Sequence, residues 1–190
     1  MAAEQLGSLR LVTDLLDQLG VAWALGGSFA SSLHGVARTT MDADVVADLG
    51  LGHVVPLATG LGDRFYMDVN TAAFAVRTRG SFNVIDRDTA FKIDLFVVGE
   101  RPWDREALRR RQRVEIAPGA VANVTTAEDT VLAKLEWYRK GGEVSDRQWR
   151  DVQGILRVQR ERLDRAYIAR WAGPLGVWDL FLRAEREATP

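Results

Sequence analysis

The chain has 190 residues, 47% of them hydrophobic and 27% charged, with a formal net charge of −1. That is enough chain for one buried core, with or without an appendage, in an ordinary soluble globular protein. It contains no cysteine, which excludes disulfides, thiolate catalysis and thiolate metal sites and suits a reducing cytoplasm.

No apolar run approaches the roughly 20 residues of a membrane span, and the opening stretch MAAEQLGSLR has no signal-peptide pattern. The small net charge hides an asymmetry. Residues 1–100 carry 7 basic and 12 acidic residues, and residues 101–190 carry 18 basic and 14 acidic. An acidic half beside a basic half suits metal binding on one side and polyanion binding on the other; an unevenly charged solvated surface is the plainer alternative.

In chain order, Leu6, Leu9, Val12, Leu15, Leu16 and Leu19 repeat at helical spacing up to Gly20. Val21 to Leu25 reads as a short buried strand. Gly26 and Gly27 then open backbone angles closed to other residues, and Ser28 is placed to cap a helix through Leu33 that Gly35 ends. A hydroxyl and free N–H groups at a helix N-terminus would bind a phosphate. Asp42-Ala43-Asp44-Val45-Val46 reads as a second strand, on which residues i and i+2 share a face, so Asp42 and Asp44 project together. Such a pair repels itself without a cation, and Mg²⁺, an ion of oxygen ligands, is the natural one.

Leu51 to Leu61 reads as a weaker helix interrupted by Pro56, Phe65 to Val69 as a short strand and Thr71 to Val76 as a helical turn. Ser81 to Ile85 and Ala90 to Val98 form a hairpin across Asp86-Arg87-Asp88, with Asp94 on its second arm. Strands mixed with helices indicate an α/β or α+β sheet. Pro102 begins a change of character. A basic helix covers Trp103 to Arg111, a short stretch Val114 to Ile116 precedes the turn Pro118-Gly119, and the rest is helical. One helix starts at Thr126-Ala127-Glu128-Asp129 and runs to Lys140 before Gly141-Gly142, a second runs from Ser145 to about Gln159, and two shorter ones lie around Gly173-Pro174. A core over residues 1–100 and a mainly helical region over 101–190 is the simplest division.

Gly27-Ser28, the spacer Phe29 to Met41, and Asp42-Ala43-Asp44-Val45 together resemble the signature of the DNA polymerase β-type nucleotidyltransferase superfamily. That family needs a third carboxylate on a later apolar strand, and Phe91 to Val98 supplies Asp94. The helical half, with Glu128-Asp129, Lys134-Leu135, Gly141-Gly142 and Ser145 through Arg150-Asp151-Val152, is similar to small bacterial nucleotidyltransferase-like proteins of the abortive-infection and toxin–antitoxin type. The pattern departs at Trp149, which leaves open whether Asp146 or Asp151 matches the family aspartate.

The resemblance implies a nucleotidyltransferase-fold mixed sheet flanked by helices and followed by a helical C-terminal part. It implies Mg²⁺, or Mn²⁺, on Asp42, Asp44 and Asp94. An NTP would be held by Gly26, Gly27, Ser28, Arg38 and Lys134, with Asp151 a secondary site residue. The acceptor hydroxyl is open among RNA or tRNA, a protein and a small molecule, and a cognate antitoxin is a further implied partner. An antibiotic nucleotidyltransferase and a non-catalytic nucleotide-binding module are the alternatives.

Each candidate has a plainer role. Asp94 would pair with Lys92 on its own strand face, Lys134 would be an exposed lysine, and Asp151 would pair with Arg147 four residues earlier. The basic run Arg101 to Arg113 reads as a solvated helix face rather than an RNA contact, and His34 and His53 as structural.

Overall fold

A computed structural model describes residues 3–37 and 40–188. Its elements fall into two compact units, residues 1–25 with 39–111 and residues 26–38 with 112–190.

The first unit holds α1 (Ala3–Gln18), β1 (Trp23–Leu25), β2 (Asp42–Ala47), α3 (Leu51–Leu61), β3 (Phe65–Tyr66), α4 (Val69–Thr78), β4 (Ser81–Asp86), β5 (Lys92–Val97) and α5 (Pro102–Arg109). Its strands lie in the order β3-β4-β5-β2-β1. β2 and β5 run parallel, while β3–β4, β4–β5 and β1–β2 are antiparallel, so the sheet is mixed. β2 and β5 both alternate between half-buried and buried positions. Ala43, Val45, Ile93 and Leu95 are fully buried, with Val12 and Leu16 of α1 and Leu57 of α3. The other face of the same two strands carries Asp42, Asp44, Lys92 and Asp94.

The expected strand Phe65–Val69 is cut to Phe65–Tyr66 because Asp68 caps the next helix, accepting the Thr71 N–H at 2.6 Å. The helical turn expected at Thr71–Val76 is accordingly a full helix, Val69–Thr78.

The second unit holds α2 (Gly27–His34), β6 (Gln112–Ala117), β7 (Ala120–Val124), α6 (Ala127–Lys140), α7 (Asp146–Gln159), α8 (Arg165–Ala172) and α9 (Trp178–Ala188). β6 and β7 form an antiparallel hairpin turning at Gly119, whose φ is +74°. The short stretch expected at Val114–Ile116 is thus a longer strand with a partner that sequence pattern did not reveal. Thr126 and Ser145 cap α6 and α7 as expected, accepting the N–H groups of Asp129 and Gln148. The helices pack α6 on α2, α7 and α8, and α7 on α2 and α9. At Gly35, the C-cap of α2, an added Cβ would stand 2.8 Å from the Ile155 nitrogen, so only glycine lets the end of α2 meet the α7 backbone.

A mixed sheet with helices in one unit and a mainly helical second unit is the α/β (α+β) class expected.

Candidate active site

In the first unit, Asp42 on β2 is register partner of Lys92 on β5, and Asp44 is register partner of Asp94. Partners on adjacent parallel strands point to one side about 4.8 Å apart. The row continues to Asn83, which faces Asp94 from β4. Three carboxylates therefore share one sheet face. Thr40, itself buried, donates its hydroxyl to Oδ1 of Asp42 at 3.0 Å.

Lys92 supplies the compensating charge. Its Nζ lies 2.7 Å from Oδ2 of Asp94 and 4.0 Å from Oδ2 of Asp42. The hydrogen bond to Asp94 raises the Lys92 pKa above its ordinary value; burial offsets part of this, and the charges of Asp94, Asp42 and Asp44 add to it. The Asp94 side chain is only 15% exposed, and without that ammonium its burial would be costly. Among the described residues no three His, Cys, Asp or Glu side chains stand together as a metal-holding group. The donor set nevertheless suits Mg²⁺, since it offers oxygen ligands only, on one face, with a cation already drawn to them. Lys92 would have to swing out for an ion to enter, and its side chain is 40% exposed.

In the second unit, Gly26 rather than Ser28 is the N-cap of α2, without a side-chain cap bond. Gly27 adopts φ +50°, which requires its lack of a Cβ. That puts Ser28 in the first turn, where its hydroxyl accepts a hydrogen bond from Arg147 at 3.0 Å. Arg38 lies outside the described residues.

Lys134 is buried, and its Nζ meets Oδ2 of Asp151 at 2.8 Å, with the two side chains 8% and 10% exposed. The Ser31 hydroxyl donates to the same carboxylate at 3.2 Å. An exposed lysine at 134 is therefore incorrect. Asp151 joins α7 to α6 and α2, beyond any pairing along its own helix. Asp146, by contrast, is exposed in the first turn of α7.

His34 and His53 are structural: Nε2 of His34 bonds the Thr125 carbonyl at 2.7 Å, and Nδ1 of His53 accepts the Gly50 N–H at 3.0 Å. On α5, Arg101 and Arg109 pair with Asp104 and Glu106 of the same helix, as a solvated face does. Sequence reading missed Thr40, Asn83 and Ser31 as members of these clusters, and set Arg147 against Asp151 rather than Ser28. Only Asn83 left a signal, its place in a strand opposite Asp94.

No protein-family model matches the sequence, and no curated protein matches it. Solved structures do match. ANT(2″)-Ia in complex with adenylyl-2″-tobramycin aligns with TM-score 0.58 at 10% identity, over 91% of this chain and 97% of that one. An antigenic nucleotidyltransferase-like protein from Paracoccidioides brasiliensis aligns with TM-score 0.54 at 16% identity, over 97% and 95%. The chain has the nucleotidyltransferase fold. Lincomycin-bound lincosamide antibiotic adenylyltransferase LnuA shares it, with TM-score 0.53 at 10% identity over 82% of this chain and 96% of that one. No helix among the described residues is long and apolar enough to cross a membrane.

Proposed function

We propose that the chain is a Mg²⁺-dependent nucleotidyltransferase that moves a nucleoside monophosphate from an NTP to an acceptor hydroxyl. The observation that carries this reading is the pairing of Asp44 with Asp94 in register, with Asp42 on the same face, in a chain of nucleotidyltransferase fold. In such a transfer the acceptor oxygen bonds the α-phosphorus, the bond to the bridging oxygen breaks, and pyrophosphate leaves.

Asp42, Asp44 and Asp94 would hold Mg²⁺, or Mn²⁺ in its place; the ion neutralises charge on the transferring phosphoryl group when bound. Asp94 would take the acceptor proton once Lys92, hydrogen-bonded to it in this structure, has swung away. Thr40 fixes the Asp42 carboxylate. Gly26, Gly27 and Ser28 would bind the triphosphate through the N-terminus of α2, with Arg147 orienting the Ser28 hydroxyl. Arg38 and Lys134 remain triphosphate candidates from the sequence, and the buried pair with Asp151 gives Lys134 a second role as a brace between α6 and α7.

Two acceptor classes have support. The resemblance to toxin–antitoxin-type proteins favours RNA or protein and a cognate antitoxin in a cytoplasmic setting. The likeness to ANT(2″)-Ia and LnuA favours a small-molecule antibiotic. Incubation with Mg²⁺ and each α-labelled NTP, against cell RNA, cell protein and antibiotic panels, separates them by which fraction takes up label. The protein should also melt higher with Mg²⁺–NTP, by about 2.7 kcal/mol at 100 times the Kd. Asp42→Asn/Asp44→Asn should lose both effects. A melting response without label transfer would leave a non-catalytic nucleotide-binding module, and the absence of both effects would refute the reading.

A further inference from the structure

Arg147, Arg150 and Arg157 are exposed on one side of α7 and line a recess of about 400 Å³ with Val36, Asp151 and Gly154. At 100° per residue, positions 147, 150, 154 and 157 fall within a sector of about 80°, so the three guanidiniums form one stripe.

The recess is electrostatically one-sided. Asp151, the carboxylate that lines it, is engaged by the Lys134 ammonium at 2.8 Å. The arginines bond neutral oxygens: Arg147 the Ser28 hydroxyl, Arg150 the Asp146 carbonyl and Arg157 the Gln153 carbonyl. Arg109 and Arg183 differ, each sitting within 2.8 Å of a carboxylate on its own helix. Gly154 leaves the floor open, and an added Cβ there would meet Val36 at 3.4 Å.

We infer that this recess binds the phosphodiester backbone of a nucleic-acid strand. The guanidinium is a planar fork that pairs with phosphate oxygens bidentately. From Arg147 to Arg157 the stripe runs about 15 Å along the helix axis, which calls for phosphates in series rather than one anion. No aromatic side chain lines the recess, so it lacks a platform for base stacking, and recognition is of the backbone irrespective of sequence. Binding follows from the recess alone. That the bound strand is also the acceptor rests on the transfer reading above, and it favours RNA over a small-molecule antibiotic.

The test is fluorescence anisotropy with a labelled 20-nucleotide oligouridylate and its DNA counterpart, without Mg²⁺ or NTP, across a salt series. Arg150→Gln/Arg157→Gln should weaken binding at least tenfold at low salt. It should also flatten the slope of log K against log salt by about 1.4, or ~0.7 for each single-strand phosphate that is no longer neutralised. The control Arg105→Gln/Arg186→Gln, which removes the same charge from α5 and α9, should stay within twofold. Equal weakening by both doubles, no binding by the parent at low salt, or binding only to anionic phospholipid vesicles would overturn the inference. Equal affinity for RNA and DNA supports a backbone site without assigning the acceptor, and tighter RNA binding assigns it to RNA. Asp42→Asn/Asp44→Asn should bind the oligonucleotides as the parent does, so loss of transfer and loss of strand binding are read separately.

Discussion

Removing the Lys134 side chain tests whether the buried cluster in the helical unit is a brace or a substrate contact. Lys134→Ala would take the ammonium away from the Asp151 carboxylate, whose side chain is 10% exposed and which also accepts from Ser31 of α2. Breaking a buried pair from one side costs about 3–5 kcal/mol, because the surviving charge has lost its compensation. For a chain of this size each kcal/mol moves the melting temperature by about 2–4 °C, so a fall of roughly 6–20 °C is expected. Lys134→Met/Asp151→Leu removes both charges at similar volume and should recover most of the loss, since apolar replacement of a whole buried pair is about neutral or stabilising. Urea and thermal unfolding of the parent, the two single variants (Lys134→Met, Asp151→Leu) and the double variant complete the cycle. A coupling of about 2 kcal/mol or more is expected. A loss under about 1 kcal/mol for Lys134→Ala, the range of a solvated pair, would refute the buried-brace argument. The double variant also separates the roles: a brace recovers its KM for NTP with its stability, whereas a triphosphate contact leaves KM raised.

Asp86 predicts an acid limb in the other unit. Burial pushes its carboxyl up, but hydrogen bonds from Arg64 at 2.8 Å, from Ser8 at 2.5 Å and from the Asp88 N–H outweigh it and hold the pKa at about 2, below the ordinary 3.8. A depressed carboxyl contributes stability above its unfolded pKa and loses it as pH falls through the folded one. About 2 kcal/mol should therefore disappear between pH 4 and 2, and urea midpoints of Asp86→Asn should lack that part of the slope; parallel curves would sink the assignment. Lys92→Met withdraws the ammonium that competes with a metal for Asp94 and Asp42. With Lys92 40% and Asp94 15% exposed, the half-buried pair is worth about 1 kcal/mol, so the Mg²⁺ concentration for half-maximal activity should fall by about fivefold, and an unchanged value would place the metal elsewhere.

What the sequence made legible were features with a period or a cap. Alternation alone put Asp42 and Asp44 on one face, and Thr126 and Ser145 announced their helices. The register that sets Asp94 beside Asp44 is a parallel pairing between distant strands, which local pattern cannot supply. β7, Ala120 to Val124, escaped because alanine and asparagine hide a short strand that β6 stabilises only by pairing. The burial of Lys134 was hidden for a different reason. A single apolar stripe predicts one buried face, but α6 is enclosed by α2, α7 and α8, and it buries Glu128, Asp129, Thr130 and Glu136 as well. Its polar core is held by bonds such as Asp129 to the Tyr167 hydroxyl at 2.7 Å, which hydrophobic periodicity does not register. The association of α2 with the helical unit turns on Gly35, where the signal is a missing side chain.

The carboxylate face and its lysine arise from one rule. With side chains alternating on β2 and β5 and the strands in parallel register, placing Asp44 opposite Asp94 necessarily places Asp42 opposite Lys92. Two unit charges at the spacing of adjacent strands, about 5 Å, repel by roughly 3 kcal/mol at an effective dielectric near 20, so a cation on this face offsets a cost of folding. The Lys92 ammonium, 2.7 Å from Asp94, supplies that cation from within the same strand. For the proposed transfer reaction this arrangement has a definite consequence. The strands can assemble without a metal, and an ion held there as proposed would displace a partly exposed ammonium rather than open the sheet. Such competition would lower the affinity for the proposed metal while the carboxylates stay on one face.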